Sequence, residues 1–416
     1  MHIVVIPSWY KSDKNPYAGS FFEEQARALM SAGNKVRIFF PFFSPSSHLF
    51  RSKPDLDFNR DDKGLITRGI VMQSIIPRSK RLNNRFIQWQ SDRWFQRYIE
   101  IDGKPDLIHA HSVWDGGLIG IYLSQKYDIP LVLTEHLTHF TGSLVGNNFK
   151  IDIARKICMQ ASRCIAVSEH FKNDLERELR LDNNVFQVVY NMVANGFYEK
   201  FVPRTWKPGE EFVFFTNSFL NERKNHILQF EALRILIGKN YPVKLIVGGS
   251  GEWDGILKQF ITDKGLGNHV VFLGGLKREQ VKQQIDSSHA FLLSSLFESF
   301  GVVLIESIAS GRPVISTSCG GPLEIVNDLN GYLVSSFEAP AYAAAMEKMI
   351  LNYNSFSPEK MREDCYSRFS ETKISADLMK VYAEAIEEHV NSRNYVKAPG
   401  LRQQAASIGS WLFFLE

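Results

Sequence analysis

The stretch Ser294–Glu324, SSLFESFGVVLIESIASGRPVISTSCGGPLE, decides how the whole chain is read. An apolar run, His289 to Leu293, reads as a strand and runs into a polar turn that holds Glu298 and is followed by Phe300-Gly301. A mostly apolar helix is expected from Val302 to Ser310, with one carboxylate, Glu306, inside it. Gly311-Arg312-Pro313 ends that helix, and a second strand, Val314 to Thr317, leads into Gly320-Gly321-Pro322. The pattern is one βαβ unit with a glycine-bearing loop at the outgoing end of each strand. In open α/β sheets those ends are where ligands bind.

Each carboxylate has two readings. Glu298 stands just before a helix, where backbone N–H groups and the dipole favour an anion, so it is either a helix-start acid or a ligand group. Glu306 has Val303, Leu304, Ile305, Ile308 and Ala309 around it. It either lies on a solvent-facing stripe or needs a partner, because an ionised Glu is costly to bury unpaired. In the functional reading both accept hydrogen bonds from hydroxyls, as a sugar and a ribose would offer.

The same alternation of strand, loop and helix runs through the chain. His2 to Ile6, Val36 to Phe40, Asp106 to His109, Leu131 to Thr134, Cys164 to Val167 and Phe186 to Val189 read as strands of a first doubly wound domain. Gly19, just before the helix Phe21 to Ser31, suits a tight turn or close ligand approach. His111 and His136 follow parallel strands at their outgoing ends, and His139 competes with His136. After an irregular stretch, Asn191 to Pro208, the alternation restarts with Phe212 to Thr216, Val243 to Val247 and Val270 to Leu273. The loops holding Lys224, Gly249, Gly275, Glu298 and Gly320 then all leave one edge of one parallel sheet. Arg223 and Lys224 stand at a helix start, where cations are unfavourable, and an anion between them would resolve the conflict.

At 416 residues the chain suits two domains, each with its own core. Its 44% apolar and 22% charged residues are ordinary for a soluble globular protein, and a net charge of +3 gives no sign of a nucleic-acid partner. Cys158, Cys164, Cys319 and Cys365 make no C-x-x-C pair and no zinc-ligand spacing, so reduced thiols are expected. The N-terminus MHIVVIPSWY has no signal-peptide pattern, and no run approaches the roughly 20 apolar residues of a spanning helix. A cytoplasmic protein is expected. The stretch Arg78 to Ile99 mixes Arg78, Lys80, Arg81, Arg85, Arg93 and Arg97 with Phe86, Trp89, Trp94, Phe95 and Tyr98. Two readings stay open: a helix lying on the inner face of an anionic membrane, or a surface helix packing its aromatics inward. The tail ending SWLFFLE has no fixed reading.

Taken together, Glu298, Phe300-Gly301, Glu306, Gly311-Arg312-Pro313-Val314, Gly320-Gly321, Glu324 and Gly331 resemble the E-x7-E region of retaining GT-B glycosyltransferases of family 4, also called glycosyl transferases group 1. The resemblance implies an α/β fold of two Rossmann-like domains facing across a cleft. Residues 1–195 would bind the acceptor and 196–370 the nucleotide-sugar donor, with 371–416 forming a helix that crosses back to the first domain and a tail. It implies transfer of a sugar, with retention, from a UDP- or GDP-sugar to an acceptor hydroxyl in bacterial cell-surface polysaccharide or glycolipid synthesis. The acceptor would be a saccharide or a lipid-linked saccharide. No cofactor and no metal are expected; Asp55-Leu56-Asp57 sits in an unreadable loop.

By the same resemblance His136, in Thr134-Glu135-His136, is the site histidine, while Gly19 and His111 face the acceptor. Lys224 and Arg223 would meet the diphosphate with the backbone at Gly301; the usual arginine position carries Ser218. Gly249, Gly275 and Leu276 would approach the nucleotide. Glu298, Ser299, Phe300, Gly301 and Val302 would line the donor sugar and diphosphate, and Glu306 the ribose. The linker reads Asn191-Met192-Val193-Ala194, where the family carries N-G-V-D. The alternatives are another GT-B activity, such as a sugar-nucleotide epimerase or a phosphorylase, and a sugar-nucleotide-binding protein without turnover.

Overall fold

A computed structural model describes residues 1–11, 18–44, 58–62, 64–73, 80–136, 148–199 and 201–396. His139, Asp55-Leu56-Asp57 and the SWLFFLE tail lie outside the described residues. The chain packs as two compact units. The first comprises Met1–Ala166, Lys172–Val189 and Ser375–Glu416, and the second Val167–Phe171 and Tyr190–Ile374.

The first unit is built on strands β1 (His2–Pro7), β2 (Lys35–Ser44), β3 (Phe58–Asp62), β4 (Leu65–Gln73), β5 (Leu107–His111), β6 (Leu131–Glu135), β7 (Arg163–Ala166) and β8 (Phe186–Val188). They form one sheet in the order β3-β4-β2-β1-β5-β6-β7-β8. Only the edge strand β3 runs antiparallel, paired with β4. Helices on the sheet's faces bury both sides of the central strands, which is why β1, β5 and β6 are buried along almost their whole length rather than at alternate positions. The helix Lys80–Asp102 turns Phe95 and Tyr98 inward to stack on each other and leaves Trp89, Arg93 and Arg97 exposed. The long helix Glu371–Val396 belongs to this unit from Ser375 onward, where the Tyr382 hydroxyl meets His109 Nδ1 at 2.7 Å.

The second unit holds β9 (Phe212–Asn217), β10 (Val243–Gly248), β11 (Val270–Gly274), β12 (Ala290–Leu293), β13 (Val314–Thr317) and β14 (Gly331–Val334). Their order is β11-β10-β9-β12-β13-β14, and every pairing is parallel. Besides Asn148–Gln160 in the first unit, three helices of this unit had no counterpart in the sequence reading: Arg278–Ser287, Pro322–Ile325 and Pro358–Phe369. The first and last are rich in charge, so their apolar periodicity is weak, and the middle one is a single turn. Among the described residues no helix is long and apolar enough to cross a membrane.

Candidate functional site

In the second sheet the winding reverses between β9 and β12, which marks the switch-point crevice beyond the carboxyl ends of the strands where open α/β sheets bind ligands. Lys224 comes from the loop after β9 and Glu298 from the loop after β12, and their side chains form an ion pair. The loops are tied together along their backbones. Leu296 N–H donates to the Arg223 carbonyl at 2.8 Å, and Ser294 Oγ donates to the Lys224 and Asn225 carbonyls at 2.9 Å each. Asn221 caps the turn Glu222–Lys224, and Asn225 then takes a left-handed conformation, φ 48°, before the helix His226–Gly238. Asparagine tolerates that conformation better than most residues.

Glu298 is buried. Its Oε1 accepts from Lys224 Nζ and, at 2.6 Å, from Ser295 Oγ, while Oε2 lies 4.0 Å from Arg223. Burial pushes its carboxyl up, but Lys224 and Arg223 outweigh that and hold it below its ordinary value. The anion that the Arg223-Lys224 pair required is therefore the protein's own carboxylate. Arg223 also donates from Nη1 to the Phe297 carbonyl at 3.0 Å.

The glycines of the opening stretch have a steric cause. Glu298 N–H donates to the Cys319 carbonyl at 2.7 Å, and Gly321 N–H to the Glu298 carbonyl at 2.9 Å. A Cβ on Gly320, φ 104°, would lie 2.6 Å from that carbonyl oxygen, and one on Gly321 would lie 2.3 Å from Phe300 Cα. The Glu298–Phe300 turn is thus pressed onto the Gly320-Gly321 turn, and Gly301, φ 105°, caps the helix Val302–Ala309. Burial pushes the Cys319 thiol up to about 11, which keeps it uncharged near neutral pH.

Glu306 is not on a solvent-facing stripe: it is 1% exposed. Its helix is covered on a second side by Pro358–Phe369, where Cys365 Sγ meets the Ile305 carbonyl. Oε1 of Glu306 pairs with Arg278 Nη1, and Oε2 has no hydrogen-bond partner among the described residues. Burial raises its carboxyl, and Arg278 offsets part of the rise. Gly249 N–H is committed to the Gly274 carbonyl at 2.7 Å, and a Cβ there would lie 1.8 Å from the Ser218 carbonyl oxygen. Gly275, beside Leu276, faces more open space, its nearest neighbour being Ser250 Oγ at 3.7 Å. Ser218 Oγ lies 3.1 Å from His226 Nε2.

In the first unit the winding reverses between β1 and β5. His111 ends β5 and His136 follows β6, and the rings join through His111 Nδ1 and His136 Nε2 at 2.9 Å. Burial depresses both, His136 to about 3 and His111 well below its ordinary value, so both are neutral at pH 7. Phe21 and Phe22 pack against this pair. Gly19 takes φ 71°, and a Cβ there would lie 2.9 Å from the Trp9 carbonyl oxygen, so the turn and the close approach both require glycine.

Sequence reasoning assigned no role to Glu135 and missed Ser8. Glu135 is fully buried: Oε2 accepts from Val113 N–H and Oε1 from His136 N–H, each at 2.8 Å. Ser8 Oγ donates to the His111 carbonyl at 2.7 Å and accepts from Gly116 N–H at 3.0 Å. The charged residue ending the buried strand β6 was the one available signal. The named residues thus gather in two places. Gly19, His111 and His136 meet at the carboxyl edge of the first sheet; Arg223, Lys224, Gly249, Gly275, Leu276, Glu298–Val302 and Glu306 stand along that of the second. Among the described residues no group of three or more His, Cys, Asp or Glu could hold a metal ion.

Residues 18–194 match the profile of Glycosyltransferase Family 4, and residues 198–368 that of Glycosyl transferases group 1. The N-acetyl-alpha-D-glucosaminyl L-malate synthase of Bacillus anthracis is 24% identical over 302 residues, covering 69% of this chain and 77% of that protein. Among solved structures, sucrose-phosphate synthase from Thermosynechococcus elongatus superposes with a TM-score of 0.72 at 18% identity, over 93% of this chain and 100% of the other. An Anabaena protein, Alr3699/HepE in complex with UDP and glucose, superposes with a TM-score of 0.70 at 19% identity, over 92% and 99%. These structural likenesses establish the GT-B fold, and with both profiles matched in chain order the protein belongs to the group 1, family 4 glycosyltransferases.

Proposed function

We propose that the protein transfers a sugar, with retention, from a UDP- or GDP-sugar to an acceptor hydroxyl, without a metal ion. The observation that carries this reading is the buried ion pair of Glu298 with Lys224, with Arg223 alongside, in the switch-point crevice of the second sheet. A carboxylate held ionised is a poor proton donor but a strong acceptor for sugar hydroxyls. Lys224, Arg223 and the N–H groups at the start of the helix Val302–Ala309 are suited to charge developing on a leaving diphosphate. Among the described residues no activated nucleophile accompanies them, so the reaction runs by same-face attack with the phosphate taking the acceptor proton. His136, neutral and buried, serves as a hydrogen-bonding group that shapes the reaction centre. The similar Anabaena protein Alr3699/HepE, solved in complex with UDP and glucose, supports a donor of this class.

The acceptor is a saccharide or lipid-linked saccharide of cell-surface polysaccharide or glycolipid synthesis, taken at the inner face of the membrane. The exposed Trp89, Arg93 and Arg97, spaced by four on one helix, support that location. Ser218, engaged by His226 where the family carries arginine, favours one competing reading, a nucleotide-sugar-binding protein without turnover. The deciding experiment incubates the protein with UDP-, GDP- and ADP-sugars and follows binding, slow donor hydrolysis and transfer. Hydrolysis or transfer from one donor, abolished in Lys224→Ala, is expected. Binding without either reaction on any acceptor would favour the competing reading.

A further inference from the structure

The proposed reading uses Glu306 as a hydroxyl acceptor and gives Arg278 no role. Arg278 is the first residue of the helix Arg278–Ser287, four residues beyond the end of β11. A cation at a helix start opposes the helix dipole, so the helix that Arg278 begins does not account for it. The Glu306 carboxylate does: Arg278 Nη1 pairs with Oε1. The guanidinium also lies over the Phe197 ring, 4.9 Å from its centroid, which gives it a second attractive contact. The second carboxylate oxygen is buried and takes no hydrogen bond from the described residues. A buried carboxylate oxygen without a donor is costly, and the cost is relieved when a ligand brings one.

We propose that Arg278 is a positioning residue for donor recognition: by holding Oε1 of Glu306 it leaves Oε2 to accept a hydrogen bond from a ribose hydroxyl. This rests on the reading of the second unit as a nucleoside-diphosphate-sugar site. The arrangement separates two tasks that a lone buried Glu performs poorly. One oxygen balances the charge through a fixed cation, and the other is left for a ligand hydroxyl. Burial favours the neutral acid, and Arg278 opposes that tendency. Without the guanidinium the carboxyl takes a proton more readily and accepts a ribose hydroxyl less well.

The test titrates the wild-type protein with UDP, GDP and ADP by calorimetry, then with the 2′-deoxy and 3′-deoxy forms of whichever nucleotide binds, between about pH 5.5 and 8.5. Arg278→Met, Arg278→Lys and Glu306→Gln are measured alongside. The wild type should prefer the ribonucleotide over at least one deoxy form by about tenfold or more, since a buried acceptor is left unpaired by that form. Arg278→Met should cut that preference to within about twofold, leave the deoxy affinity unchanged, and bind the ribonucleotide more weakly as pH falls. Arg278→Lys should restore most of the preference. Arg278→Met with the wild-type ratio at every pH overturns the proposal, as does Glu306→Gln with an unchanged ribose preference. Failure of every nucleotide to bind the wild type instead overturns the donor-site reading, and this proposal with it.

Discussion

Burial raises the Glu298 carboxyl, and two cations from a different loop outweigh it and hold the group below its ordinary value. The same residue is fixed through its backbone, because the turn that carries it is pressed onto Gly320-Gly321. Two predictions follow at this scale. Glu298→Gln should lower turnover by about 10–10²-fold, the worth of one hydrogen bond from a sugar hydroxyl to a charged acceptor, with the fold retained by circular dichroism. Undiminished transfer would remove Glu298 from the site. Gly320→Ala should cost on the order of 2 kcal/mol or more in denaturant titration, because a left-handed residue gains a Cβ that meets a fixed carbonyl oxygen. Gly33→Ala serves as the comparison. Gly33 also has positive φ, 87°, but its Cβ would meet nothing within 4 Å, so only the backbone cost of about 1 kcal/mol is expected.

At the scale of elements, the helix Glu371–Val396 contributes a specific side chain to the first unit as well as apolar cover. The Tyr382 hydroxyl meets His109 Nδ1, and His109 Nε2 meets Thr134 Oγ1 at 2.8 Å. His109 in turn stands against the His111 ring, 4.1 Å between centroids. Tyr382→Phe keeps the ring and removes the hydroxyl, leaving a buried imidazole nitrogen unpaired. The expected loss is about 1–3 kcal/mol, read as a shift of the urea midpoint with an unchanged slope. A midpoint equal to wild type would mean that the hydrogen bond contributes nothing net.

For the whole molecule the buried histidines determine how stability responds to acid. Burial lowers His109 and His136 to about 3 and His226 to about 4, below their usual value near 6.5. Below that usual value the unfolded chain binds protons at these sites and the folded chain does not. Stability therefore rises with pH there and is lost as pH falls from about 6.5 toward 3–4, by up to about 1.4 kcal/mol per pH unit for each site. Above about pH 7.5 these sites should contribute no slope. Urea unfolding at a series of pH values checks this. A flat profile from pH 7 to 5 would show that the histidines are not held neutral.

The order of the central strands, the parallel core of both sheets and the glycine-bearing loops at their outgoing edges were legible in the sequence. Those features are local: apolar runs of strand length, glycines where chirality demands them, and a repeated alternation that admits few topologies. Glu298, Glu306, Lys224 and His136 were legible because charged or polar side chains at strand ends and in apolar helices are costly without a purpose. Their pairings were not legible. Lys224 meets Glu298 across 74 residues and Arg278 meets Glu306 across 28. Such meetings depend on which strands neighbour at the switch point and how the loops pack, and no periodicity along the chain records that. Gly249 shows the same limit, since a glycine that serves phosphate approach and one that makes room for the Ser218 carbonyl look alike in sequence. Only the folded chain shows that a Cβ at Gly249 would meet the Ser218 carbonyl, because the space beside a Cα atom is filled by residues distant in the chain.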